Sequence, residues 1–207
     1  MTQKFHPSRR RAMKSGWFLA FFITATTLFW PLNGVHGNGL HRSVIKTQAI
    51  SLQKHQFGYA AKSIPLQIVI PSISVDSKIM QLGLEKDGSL AVPPDGSLAG
   101  WYKGSPTPGE IGPSVIAGHV DWKGKEGVFF RLNSLKVGAI VKVRRVDGST
   151  QTFKVHRITT FDKKKFPSHQ VYGNIGYAGL RLITCGDFNF QLHKYMKNIV
   201  VFAKAVS

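Results

Sequence analysis

From residue 63 to the C-terminus the chain is cut into short runs of β-branched and aromatic residues by frequent Gly, Pro, Asp and Ser. That punctuation favours many short strands, with room for no more than one or two short helices. Ile64 to Val75 has strong β character, and Pro65 and Pro71 mark it as a sheet edge or a bend. Lys78 to Leu84 reads as the next strand, ended by Lys86-Asp87-Gly88-Ser89. A loop then carries Pro93-Pro94-Asp95-Gly96, Trp101-Tyr102 and Ser105 to Gly109, and Ser114 to Val120 is a short apolar strand that delivers His119. Gly127 to Leu135 reads as a short helical turn. Ala139 to Val146 and Thr150 to Thr160 flank Asp147-Gly148-Ser149, with Val141, Val143, Val155 and Ile158 alternating as in a hairpin. A long basic loop spans Lys163 to Gly179, and Leu180 to Thr184 and Ile199 to Ala205 supply the last strands. The fold class is therefore all-β, a closed or nearly closed barrel of about eight strands rather than a βαβ sheet.

The first 62 residues have a different composition. They hold nine Lys or Arg and no acidic residue, whereas residues 63–207 hold nineteen basic and ten acidic residues. Residues 1–15, with Lys4, Arg9, Arg10, Arg11 and Lys14, form a basic segment before the uncharged run Gly16 to Leu32. As a helix that run spans about 25 Å, slightly short of a hydrocarbon core of ~30 Å, with Trp17 and Trp30 suited to the two interfaces. An uncleaved membrane anchor and a removed signal peptide both fit. Asn33 to Gly39 offers no clear A-x-A site, which favours the anchor, while Ser8 to Lys14 loosely resembles a twin-arginine signal. The basic flank puts the N-terminus in the cytoplasm and everything after Leu32 outside. Residues 33–62 read as a polar extracellular linker, with His36, His41 and His55 as solvated residues, and 63–207 as the barrel domain.

A net charge of +18 raises binding to polyanions. The basic residues beyond 63 are dispersed apart from Arg144-Arg145 and Lys163-Lys164-Lys165, and no nucleic-acid-binding motif accompanies them, so a cell wall or anionic lipid is the expected partner rather than nucleic acid. Cys185 is the sole cysteine, which excludes an intramolecular disulfide and a cysteine metal cage. Asp87, Asp95 and Glu110 are scattered turn acids that build no calcium site. Neither metal nor cofactor is expected.

What remains for Cys185 is a nucleophile or an inert core thiol. Export argues for the former, since an unpaired thiol in an oxidising compartment calls for a reason. Thiol chemistry needs a base or electrostatic partner, plus a cation or hydrogen-bond donor for the charge that develops on the carbonyl oxygen. His119 is the best-placed partner because it ends a strand behind the small Ala117-Gly118; His156, His169 and His193 have plain surface readings.

Leu182-Ile183-Thr184-Cys185 resembles the TLxTC signature of the sortases, and Ala117-Gly118-His119-Val120-Asp121 resembles the segment that carries their histidine. The likeness extends through Gly127 to Leu132, Phe166-Pro167, Val171-Tyr172-Gly173, Leu180 to Gly186 and Asn198 to Ala203, and is greatest to class F, with its LRLITCG form. It implies an eight-stranded sortase barrel held by an N-terminal anchor on the outer face of a Gram-positive membrane. It also implies a cysteine transpeptidase: Cys185 attacks an LPxTG-like signal of a surface protein, His119 serves as acid and base, and an amine, typically of a cell-wall precursor, resolves the thioacyl enzyme.

One element departs from that family's pattern. Most sortases carry an arginine on the last strand, whereas this chain has none after Arg181 and shows Asn198 beside Lys197 at that place. Arg181 is the alternative source of the charge, with its backbone about 13 Å from the thiol along the strand; a rim salt bridge is its plainer role. Asp121 either orients His119 or is loop polarity. Thr184 either bonds within the site or merely suits a strand, and Ile183, Val171 and Tyr172 line a substrate groove or belong to the core. An L,D-transpeptidase is disfavoured because its S-H-G-C-x-R signature is absent. A wall-binding barrel with an inert Cys185 is the remaining alternative.

Overall fold

The computed structural model describes residues 59–206. The basic segment, the anchor or signal and most of the linker expected from the sequence lie outside the described residues. Among the described residues no helix is long and apolar enough to cross a membrane.

Eight strands close a barrel: β1 (Pro65–Ile70), β2 (Val75–Leu82), β3 (Ala99–Tyr102), β4 (Gly112–Gly118), β7 (Ile140–Arg145), β8 (Thr150–Asp162), β9 (Ala178–Asn189) and β10 (Lys194–Ala205). Their order round the barrel is β1-β2-β3-β4-β9-β10-β8-β7, and β7 pairs with β1 to complete it. A separate two-stranded ribbon, β5 (Asp121–Trp122) with β6 (Lys125–Glu126), follows β4. Lys123 at φ 50° and Gly124 at φ 75° give its two-residue turn the positive dihedrals that match strand twist. One short helix, α1 (Ser168–Tyr172), lies in the segment between β8 and β9.

Two stretches differ from the sequence expectation. Ile64 to Val75 is not one strand. Pro71 opens a 3-10 turn over Pro71–Ile73 and Ser74 takes a left-handed conformation, so the chain reverses and β2 returns antiparallel, Ile70 opposite Val75. The supposed loop around Trp101 contains β3, parallel to β2 and antiparallel to β4. Gly100 permits this because a Cβ there would lie 2.2 Å from the Leu82 side chain.

Strand alternation sorts the apolar residues into two cores. Every barrel strand contributes to the first, including Ile68, Ile116, Val143, Phe153, Leu182 and Val201, which makes it the barrel interior. The intervening residues Val115, Ala117, Ile183, Val200 and Phe202 form a second core with Leu82, Leu90 and Val171 of α1. That outer core is the floor under the site. Ile183 belongs to it, so its side chain is packed among apolar neighbours.

Candidate active site

Strands β4 and β9 run parallel, and Ala117 and Ile183 are register partners in the same outer core. Two residues beyond that pair stand His119, just past the end of β4, and Cys185 of β9, so the register directs both toward the same rim of the outer core. Thr184 fixes the alignment: its buried hydroxyl donates to the Gly118 carbonyl at 2.9 Å, tying the residue before the thiol to the residue before the histidine. Gly118 and Gly127 are small because space demands it. A Cβ on Gly118 would meet the Val128 and Phe129 side chains at 2.5 and 2.7 Å, and one on Gly127 would lie 2.4 Å from the His119 carbonyl oxygen. The narrow approach at Ala117-Gly118 is thus filled by the chain's own packing.

The imidazole is held by its surroundings. His119 Nε2 lies 2.8 Å from the Pro93 carbonyl oxygen, and the ring sits 4.6 Å from the Trp122 ring, centroid to centroid. A carbonyl only accepts, so Nε2 is the donor in this contact, which leaves Nδ1 to accept whenever the ring holds one proton. Asp121 accepts the Tyr195 hydroxyl at 2.8 Å, which links the ribbon after His119 to β10. Burial, then the hydrogen bond to the Asp121 carboxylate, pushes the Tyr195 phenol up to about 12, so it stays a donor at neutral pH.

Around the thiol the rows of β9, β10 and β8 can be read off the register. Cys185, Asn198 and Phe161 form one row, and Arg181, Phe202 and Arg157 another, four residues along β9. Cys185 is a half-buried free thiol. Its Sγ lies 3.5 Å from the Nζ of Lys163. Asn198, opposite it, is 1% exposed, and neither its carboxamide oxygen nor its nitrogen has a hydrogen-bond partner.

Arg181 is not brought to the thiol. Its guanidinium lies over the Phe202 ring at 4.7 Å, with Arg157 over the same ring at 3.7 Å, and it donates to the Leu180 carbonyl at 3.2 Å. Burial lowers its pKa, opposed by a hydrogen bond to Tyr177. The salt bridge to Asp162 or Asp187 expected as its plainer role is not what holds it; Asp187 pairs instead with Lys197 at 2.8 Å.

Sequence reading missed Lys163, Trp122, Tyr195 and the Pro93 carbonyl as neighbours of the pair. For Lys163 a signal existed: a basic triplet directly after a strand, in a chain with no arginine beyond Arg181. The others depend on how loops fold back and left no trace in spacing.

Taken together, a thiol, an imidazole on the strand end paired with it and a cation at the sulfur are the parts that acyl transfer through a thioester requires. No curated protein sequence matches the chain. Solved structures do. Streptococcus pneumoniae sortase C is 21% identical with a TM-score of 0.53, over 73% of this chain and 70% of that one. Sortase C-1 from Actinomyces oris is 21% identical with a TM-score of 0.54, over 79% of this chain and 99% of that one. The Clostridium perfringens sortase D5 transpeptidase is 19% identical with a TM-score of 0.53, over 76% of this chain and 89% of that one. At such identity these likenesses establish a shared fold. The sequence itself matches the family model of the sortase domain over residues 68–206. The chain therefore belongs to the sortase family, the cysteine transpeptidases that act on sorting signals.

Proposed function

We propose that the protein is a membrane-anchored sortase of the class F type, in which Cys185 and His119 transfer an LPxTG-like sorting signal from a surface protein to an amine, typically of a peptidoglycan precursor. The observation that carries the reading is the parallel register of β4 and β9, whose last pair, Ala117 and Ile183, stands two residues before His119 and the half-buried Cys185. The class rests on the run Leu180 to Gly186, and the anchor on the basic flank before Gly16 to Leu32.

In this mechanism the thiol proton passes to the imidazole and the sulfur attacks the carbonyl carbon of the Thr-Gly bond. The tetrahedral intermediate collapses as His119 returns the proton to the leaving glycine nitrogen, and a thioester remains on Cys185. The incoming amine loses its proton to His119, attacks the thioester carbon and expels the thiolate. Water in place of the amine gives hydrolysis. Asn198, whose donor and acceptor are unused but buried in the resting fold, would take a backbone amide of the signal once neighbouring side chains move aside, while Thr184 holds the strands and Asp121 the ribbon.

The test is incubation of the full-length chain, in detergent, with a panel of LPxTG-type peptides and a small amine, resolved by chromatography and mass spectrometry. Cleavage between Thr and Gly with amine-dependent product is expected, and is lost in Cys185→Ala and His119→Ala. No cleavage of any peptide by the wild-type chain, together with wall binding that is unchanged in Cys185→Ala, would favour a wall-binding barrel with an inert thiol.

A further inference from the structure

A charge at the thiol comes from an unexpected segment. Lys163 opens a 3-10 turn, Lys163–Lys165, directly after β8, and the turn is capped by Asp162, whose carboxylate accepts the Lys164 backbone N–H at 2.7 Å. The cap fixes the direction in which the chain leaves β8, and the Lys163 ammonium reaches back to within 3.5 Å of Cys185 Sγ. Among the described residues no carboxylate comes within 4.0 Å of that ammonium; the three ion pairs are Arg131–Glu126, Arg145–Asp147 and Lys197–Asp187. The neighbouring cation, Lys197, is thus already matched, and Arg181 is engaged with Phe202. Asn198, across the ladder from Cys185, carries no charge.

We propose that Lys163 is a catalytic residue of this sortase, the cation that meets the negative charge developing on Cys185 Sγ as its proton passes to His119, and then the charge passed to the substrate carbonyl oxygen when the sulfur attacks. The assignment rests on the transpeptidase reading above. No bond to Lys163 forms or breaks: the thiol proton goes to His119, and the ammonium stays protonated throughout. A positive charge at this distance favours the ionised sulfur. The same ammonium needs only a small side-chain rotation to follow the charge from sulfur to oxygen, because the new carbon–sulfur bond holds the two within a few ångströms. The other charged or titratable groups around the thiol are His119, Tyr195, Asp162 and the Lys197–Asp187 pair.

The experiment separates this assignment from the wider reading by using a readout that needs no sorting signal. The rate of Cys185 alkylation by iodoacetamide is measured against pH for the full-length chain and for Lys163→Met, Lys163→Arg and Lys164→Met, with circular dichroism confirming the fold of each. Lys163→Met is expected to move the alkylation profile up by about one pH unit or more and to slow labelling at neutral pH about tenfold. Lys163→Arg restores the profile, since a guanidinium keeps the charge, and Lys164→Met, which removes an equal charge from the same turn, leaves it unchanged. With a signal peptide that the protein cleaves, Lys163→Met lowers kcat/KM about a hundredfold and Lys163→Arg recovers most of it. A folded Lys163→Met chain with the wild-type alkylation profile overturns the proposal, as does an equal shift in Lys164→Met. If no peptide is cleaved but the profile moves, the transpeptidase reading fails and the Lys163–Cys185 pairing stands.

Discussion

Replacing Asn198 by leucine is expected to make the resting protein more stable and less active. The side chain is 1% exposed, and both its carboxamide atoms lack a partner. Each buried polar group left unbonded costs about 1–3 kcal/mol, so the two together cost about 2–6 kcal/mol relative to an apolar group of the same shape. Leucine has the same heavy-atom skeleton, and its bulkier methyl groups give back about 1–2 kcal/mol in overpacking against Cys185 and Phe161. The balance runs from about zero to a gain of about 5 kcal/mol, read as a rise in Tm of about 2–4 °C for each kcal/mol in a domain of this size. Scanning calorimetry of the full chain measures it, with peptide transfer followed in parallel. Loss of the two hydrogen bonds offered to the signal lowers kcat/KM about tenfold or more. A fall in Tm would refute the reasoning, because it would mean that the carboxamide is bonded in the resting fold; a rise in Tm with unchanged kcat/KM would remove Asn198 from the substrate site.

Three further outcomes follow from the same geometry. Gly127→Ala forces its new Cβ against the His119 carbonyl, so transfer falls about a hundredfold in steady-state kinetics while the barrel stays folded. Arg181→Ala uncovers the Phe202 ring and lowers stability by about 2–3 kcal/mol in urea unfolding, but kcat/KM at a temperature where both proteins are folded stays close to wild type; a loss of about a hundredfold would return Arg181 to the chemistry. Asp147, in the β7–β8 turn, has its pKa lowered first by the Ser149 hydroxyl, then by the Ser149 N–H and by Arg145. Its folded value lies below the unfolded one, so the stability it adds is present above about pH 4 and is lost as pH falls through the folded value; Asp147→Asn should flatten urea midpoints across that acid window.

Residues whose neighbours are set by strand pairing were legible in the sequence. The β7–β8 hairpin announced itself through valine alternation and an Asp-Gly turn, and the apolar runs before His119 and Cys185 announced the two strands, β4 and β9, that pair in parallel. What failed were features decided by single backbone torsions or tertiary packing. Ser74 in a left-handed conformation turned one expected strand into two, and β3 owes its place to Leu82 packing over Gly100. Arg181 was expected near the thiol because its strand parity is right, yet the Phe202 ring directly across from it in its own row supplies a closer, desolvated surface for a guanidinium. Lys163 escaped notice because its position depends on how the chain turns after β8, which the Asp162 cap determines and residue spacing does not. The class and the anchor remain readings of sequence, the first from Leu180 to Gly186 and the second from residues outside those described.

The central claim is that Cys185 carries the acyl group. The direct measurement is the intact mass of the full chain after brief mixing with a sorting peptide and no amine, followed by peptide mapping. The account predicts a mass increase equal to the acyl portion ending in threonine, mapped to Cys185, discharged by an added amine and absent in Cys185→Ala. Cleavage or transfer that proceeds at the wild-type rate in Cys185→Ala, with no adduct on Cys185 at any time, would contradict it.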